Sequence, residues 1–226
     1  MNPKPVVIVF DVNETLSDMT PMAARFEEVG APGSLAKTWF AALLRDGFAL
    51  AASGTSEKFA VVGAEMLRDA FRGVALDRGV DEAITHVMSG FGQLELHPDV
   101  VGGVRGLSGS GFRLVTLTNG STGLSDAMFT AAGIRDEFEA LLTVEDAPAW
   151  KPVRAAYEYA ATACGVTPLE MLLVAVHPWD IHGAAKAGLQ TAWVNRSGAS
   201  YPSYFEAPSL IVGGIDELSE ILSAQG

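Results

Sequence analysis

Cysteine is almost missing from this chain of 226 residues: Cys164 stands alone, so no internal disulfide can form. It lies in an Ala-rich helical stretch, where a buried, inert thiol is expected, and a reducing cytoplasmic setting fits. Cations are also scarce. The 15 Lys and Arg against 27 Asp and Glu leave a formal charge of −12. That balance excludes a nucleic-acid reader, whose partner's phosphates need a basic surface. It also removes long-range steering of small anions, so an anionic substrate depends on the few cations near its pocket. No apolar run approaches the ~18 residues of a membrane span. The run at 5–10 is too short for a signal-peptide core and ends in Asp11 rather than in small cleavage-site residues. Internal repeats and low-complexity tracts are lacking too. What remains, with 49% hydrophobic residues, is a folded globular chain with room for one large domain or a core with an inserted unit.

The chain is organised around Val6-Val7-Ile8-Val9-Phe10, a β-branched run that reads as a buried parallel strand and stops at Asp11. Thr20-Pro21 to Gly30 carries helix start and stop signals. Further helices are expected over 34–52, 57–71 and 80–91. Residues 17–96 therefore read as all helical, with no strand among them. A helical block of that length directly after the first strand is too large for an ordinary crossover, and predicts an inserted cap. After His97-Pro98-Asp99 the pattern alternates. Strands are expected at 112–118, 140–144, 171–176, 191–195 and 210–212. Helices are expected at 98–107, 121–132, 151–164, 180–187 and 216–224. The expected fold is therefore α/β: a doubly wound parallel sheet, with 1–16 and 97–226 as core domain and 17–96 as helical cap.

Ligands of such sheets sit beyond the carboxyl ends of the strands, where several polar residues fall. Asp11 is a candidate nucleophile, since a carboxylate can attack an electrophilic carbon or phosphorus and form an intermediate that water breaks. It needs a nearby cation to hold its pKa low, and Lys151 is the candidate. Thr118 and Asn119 end the second core strand and offer hydroxyl, amide and backbone N–H donors to an anion. The plainer reading of Asn119 with Gly120 is a turn. Thr15 can bond Asp11 or cap a helix. Asp180 can orient Lys151, position water, ligate a metal or cap the helix that follows.

Phe10-Asp11-x-x-x-Thr15-Leu16, then Thr118-Asn119, Lys151-Pro152 and a late Asp180, is an ordered signature that resembles the haloacid dehalogenase superfamily. Leu117-Thr118-Asn119-Gly120, Trp150-Lys151-Pro152 with Tyr157, and His177-Pro178-Trp179-Asp180 resemble its type II haloacid dehalogenase branch. The resemblance implies Asp11 as nucleophile paired with Lys151, assisted by Thr15, Asn119 and Asp180. Val12, Asn13, Phe40, Thr118, Tyr157 and His177 would surround the substrate.

Two features separate the chain from the superfamily's phosphatases. Asn13 stands where they carry a general-acid Asp, and an amide cannot protonate a leaving alkoxide. Asp180 is a single acid where they use two to hold Mg²⁺, thin for a hard cation. The implied reaction is metal- and cofactor-free displacement of halide from a small 2-haloacid, then hydrolysis of the aspartyl ester. The chain also departs from the dehalogenase pattern. Asn13 and Glu14 replace Tyr and Gly, Phe40 follows Trp39 where an Arg is usual, and Ala175 and His177 replace Ser and Asn. His177 can replace a polar contact or activate water. A Mg²⁺-dependent phosphatase and a non-catalytic binding protein on the same scaffold stay open, as does a homodimer packed through apolar cap helices.

Overall fold

The computed structural model describes residues 3–224. Strand β1 (Val7–Phe10) is the hub of a six-stranded parallel sheet. It pairs on one side with β4 (Arg113–Thr118) and on the other with β6 (Met171–Ala175). β5 (Ala140–Thr143) extends the sheet beyond β4, and β7 (Gln190–Val194) and β8 (Leu210–Val212) extend it beyond β6. The continuous apolar run of β1 is explained by burial on both faces. Val7 and Val9 enter one core with Val115, Leu117, Leu173 and Trp193. Ile8 and Phe10 enter the opposite core with Leu114, Leu172 and Val174.

Helices α5 (Val100–Gly109), α6 (Thr122–Ala131) and α9 (Ile215–Ser223) contribute Val104, Phe129 and Leu218 to the core of Ile8 and Phe10. Helices α7 (Arg154–Cys164) and α8 (Pro178–Ala187) contribute Tyr157 and Ile181 to the other, and Gly188 ends α8 at φ 98°. The doubly wound sheet is as expected, and the order β5-β4-β1-β6-β7-β8 makes β1 the switch point, with Asp11 at its carboxyl end.

Between β1 and α5 stand α1 (Met22–Glu27), α2 (Leu35–Ala52), α3 (Phe59–Ala70) and α4 (Val80–Ser89). Phe26, Trp39, Leu43, Leu67 and Val87 fill the interior of this helical block. The expectation of no strand in this region needs one correction. β2 (Ser17–Asp18) and β3 (Glu95–Leu96) pair antiparallel where the chain leaves and re-enters the core. Two residues are too few to leave an alternating pattern in the sequence. A second correction concerns Lys151-Pro152, which does not open a helix: α7 begins at Arg154. The Pro152 ring disfavours helical backbone at Lys151, so the lysine belongs to the turn before the helix. Asp180, expected in a loop before its helix or at its first residue, lies inside the first turn of α8. No helix among the described residues is long and apolar enough to cross a membrane.

Helices α5 and α9 meet backbone to backbone. A Cβ built at Gly103 would fall 2.5 Å from the Ile215 carbonyl carbon, against atoms that cannot rotate away. Gly103→Ala should therefore cost about 1–3 kcal/mol despite alanine's better helix propensity. The measurement is a lower urea midpoint at unchanged slope.

Candidate active site

The sheet delivers Asp11, and three other elements close on it. The Asp11 N–H donates to Val174 O at 3.0 Å, so the turn leaving β1 is pinned to β6. Thr15 donates its hydroxyl to Asp11 Oδ2 at 2.6 Å and accepts the Val176 N–H at 3.1 Å. It is thus occupied by the nucleophile rather than by a helix cap. Lys151 Nζ donates to Asp11 Oδ1 at 2.8 Å and to Asp180 Oδ2 at 2.6 Å. Tyr157 donates to the other Asp180 oxygen, Oδ1, at 2.6 Å. Lys151 and Asp180 are fully buried and Asp11 is 4% exposed.

Asn119 does not face an anion site with its side chain. Its amide Nδ2 donates to Lys151 O at 3.2 Å and its Oδ1 accepts the Lys151 N–H at 3.0 Å, clamping the lysine backbone from both sides. Its contact is with the lysine turn, as that of a positioning residue. Thr118 Oγ1 accepts the Gly120 N–H at 3.0 Å and lines a small cavity beside Asp11. That cavity, about 20 Å³, is also lined by Val12, Asn13, Phe59, Phe91 and Ser121. Phe40 is not among its walls. It lies behind Phe59, with ring centroids 6.4 Å apart, and packs beside Trp39. Arg45 points away: it is exposed and paired with Asp46.

His177 comes close to the nucleophile. Its Nε2 stands 3.2 Å from Asn13 O, 3.7 Å from Asp11 Oδ2 and 3.6 Å from Glu14 Oε2. Its ring stacks on Trp179 at 5.0 Å. Glu14 has a left-handed backbone, φ 63°, and its carbonyl oxygen lies 3.1 Å from His97 Nε2. In the sequence Glu14 stood only as a departure from the dehalogenase pattern. Its contact with His177 spans 163 positions and left no local signal. Trp150 and Trp179 were legible as motif letters, but not as walls of the site.

These contacts set the charges. Burial pulls Asp11 upward, but the Lys151 and His177 charges and the bonds from Lys151 and Thr15 hold it below the usual carboxylate value. Burial raises Asp180, with the Asp11 charge adding to it against Lys151. Lys151 is disfavoured by burial, yet the charges of Asp11 and Asp180 lift it above an ordinary lysine. Burial, then the Asp180 charge, pushes the Tyr157 hydroxyl well above its usual range, so it remains a donor. Burial also raises Cys164, in keeping with an inert thiol. Among the described residues no three His, Cys, Asp or Glu side chains form a metal-ligand group. Between Asp11 and Asp180 the bridging position belongs to the lysine ammonium.

Gly183 of α8 makes the assembly possible. A Cβ there would lie 2.6 Å from both Pro152 Cβ and Tyr157 Oη.

Replacing Lys151 by Met leaves two buried carboxylates without their cation, which should cost about 3–5 kcal/mol at neutral pH. The sign of the pH dependence reverses for Asp11. In the wild type its folded value lies below the unfolded one, so its contribution is present above the unfolded value and lost as pH falls through the folded one. In Lys151→Met burial alone raises both carboxylates, so stability should fall as pH climbs from about 4 to about 8. Urea titrations across that range check it. A variant with the wild-type profile would remove the ammonium from its central role.

Several known proteins are similar to this chain. A crystal structure of an L-2-haloacid dehalogenase superposes with a TM-score of 0.90 at 27% identity, covering 97% of this chain and 99% of that one. An (S)-2-haloacid dehalogenase of Pseudomonas sp. (strain YL) is 28% identical over 216 residues, 95% of this chain and 93% of its own. Haloacetate dehalogenase H-2 of Moraxella sp. (strain B) is 34% identical over 131 residues, a match spanning 58% of each chain. The family model of haloacid dehalogenase-like hydrolases matches residues 6–188. With Asp11 at the end of its central strand, a helical insertion and a buried lysine at the strand ends, the chain belongs to the haloacid dehalogenase-like hydrolases.

Proposed function

We propose that this protein is a hydrolytic dehalogenase of small 2-haloacids that works through an ester on Asp11. One observation carries the reading: the ionised, lysine-paired Asp11 has an amide, Asn13, where a general acid would be required to expel an alkoxide. A halide leaves as a stable anion and needs no proton. The chemistry of the residues therefore fits a carbon–halogen bond better than a phosphate ester. The relatives named above, haloacid dehalogenases by name, support the same class.

In the first step an Asp11 oxygen attacks the carbon that bears the halogen. The new C–O bond forms as the C–X bond breaks, and halide departs with inversion. Lys151 and Thr15 hold the carboxylate in line. In the second step water attacks the ester carbonyl, releasing a 2-hydroxyacid and restoring Asp11. Asp180 has one oxygen engaged by Lys151 and the other by Tyr157, so it is poorly placed to take the water's proton. His177 is better placed to assist: its Nε2, which faces the Asn13 carbonyl and the Glu14 carboxylate as a donor 3.7 Å from Asp11 Oδ2, can polarise the ester carbonyl for the attacking water, whose proton leaves to solvent. Val12, Asn13 and Thr118 line the small cavity next to the turn leaving β1, where the substrate would enter.

The helical segment 17–96 is, on this reading, the cap over the strand ends, and 1–16 with 97–226 the core. A homodimer is part of the proposal, supported by the apolar Val61 and Val80 exposed on α3 and α4. Light scattering tests it.

Halide release from bromoacetate should persist in EDTA and fall by about ten-thousandfold or more in Asp11→Asn. In ¹⁸O-water, a single turnover should label the Asp11 carboxyl and leave the product unlabelled. Label in the product instead would mean direct attack by water and would sink the ester route. His177→Ala should let the ester accumulate, visible as a mass increase on the peptide that contains Asp11. Phosphate release from a phosphate ester, dependent on Mg²⁺ and without halide release, would favour a phosphatase instead.

A further inference from the structure

The turn that carries Lys151 and the helix start that carries Asp180 each place a tryptophan one residue earlier, and both indoles reach the same helix of the helical block. Trp150 is buried, and its Nε1–H donates to Glu57 O at 2.9 Å in the segment before α3. Its ring stacks on Phe59 at 6.1 Å and 19°. The six-membered half of the indole covers Gly47 of α2, where a Cβ would fall 2.2 Å from Cζ3 and 2.4 Å from Cε3. Trp179 meets the next residue of α2, Phe48, edge to face at 4.9 Å. The Trp179 ring also lies 5.9 Å from the Lys151 ammonium. The Lys151 turn is therefore gripped twice: by Asn119 from the core and by α2 through the adjoining indole.

We infer that Gly47 and Trp150, with Trp179 on Phe48, are positioning residues for the reaction: seating of α2 against the two indoles sets the Lys151 turn, and so aligns its ammonium with Asp11. A glycine is required at position 47 because only a bare Cα lets the indole lie flat on the helix. If the helix lifts, Trp150 loses its seat and its hydrogen bond together, and the adjoining lysine loses one of its two anchors. Displacements of about 1 Å in such a site can cost about a hundredfold in rate. Cap seating and alignment of the nucleophile's cation are then one event.

The inference rests on the dehalogenase reading for its activity measurement, and a second readout is independent of it. Halide release from bromoacetate and hydrogen exchange over residues 44–62 would be compared in wild type, Gly47→Ala, Trp150→Phe and the double variant. Gly47→Ala should lower kcat by about ten- to a hundredfold and speed exchange over 44–62. In the double variant the shorter Phe ring makes room for the new methyl group. Both readouts should return to the level of Trp150→Phe alone, the non-additivity expected of two groups in contact. Wild-type kcat and exchange in Gly47→Ala, or a double variant no better than Gly47→Ala, would overturn the inference. Should Gly47→Ala fail to fold, Trp150→Phe decides alone: faster exchange over 57–62 with lowered kcat supports the clamp, and wild-type values in both reject it. A wild type that releases no halide would refute the dehalogenase reading, while recovery of slow exchange in the double variant would still support the clamp.

Discussion

The site depends on a single ammonium buried between two carboxylates. Taking Lys151 out of water costs several kcal/mol, and no part of that cost is recovered by hydration because the residue is wholly enclosed. It is offset by two charge-assisted bonds, to Asp11 and Asp180, each within 2.8 Å. Such a trio is stable only if all three members are held. Asp11 is held by the most constrained strand of the sheet, Asp180 by Tyr157 and the first turn of a helix, and Lys151 by the Asn119 amide. Rigidity here serves reactivity. A carboxylate that is desolvated, ionised and fixed in direction has few alternatives to attacking what is presented to it.

Around that trio the chemistry is divided between two sides. Lys151 and Thr15 supply donors that keep Asp11 anionic and Tyr157 engages Asp180, while His177 and Glu14 stand on the side of Asn13. The division fits a reaction with two dissimilar steps: a displacement that needs no proton transfer, and a hydrolysis that does. Glu14 adds a negative charge near an anionic substrate, and the left-handed backbone at that residue sets its carboxylate 3.6 Å from His177.

Most of the fold could be read from the chain because buried parallel strands are written as apolar runs: β1 and β6 are unbroken, and β4 is interrupted within its apolar stretch only by Thr116. Asp11, Thr118 and Asn119 were legible for the same reason, as polar residues where such runs stop. Lys151 was assigned to a helix start although Pro152 argues against it. The restriction that proline places on its predecessor was the signal passed over. Asn119 was read as a donor to an anion, whereas its amide is matched to the two backbone groups of Lys151, 32 residues away. Contacts of that kind, like His177 with Glu14, depend on how loops converge after the sheet has formed. No periodicity records them. The β2–β3 pair escaped for a simpler reason, its length.

Gly183 joins these observations in a way that bears on sequence drift. Its bare Cα lets α8 lie against Pro152 and the Tyr157 hydroxyl, so the two loops that deliver the cation and the second carboxylate share a wall one hydrogen atom thick. A lineage that acquires any side chain there has to move the lysine turn and the tyrosine together, and no single compensating change restores both. The accessible neighbours of this sequence are thus limited by a residue with no functional group, whereas the positions that depart from the dehalogenase pattern, Asn13, Phe40 and His177, are not among the atoms packed on that glycine.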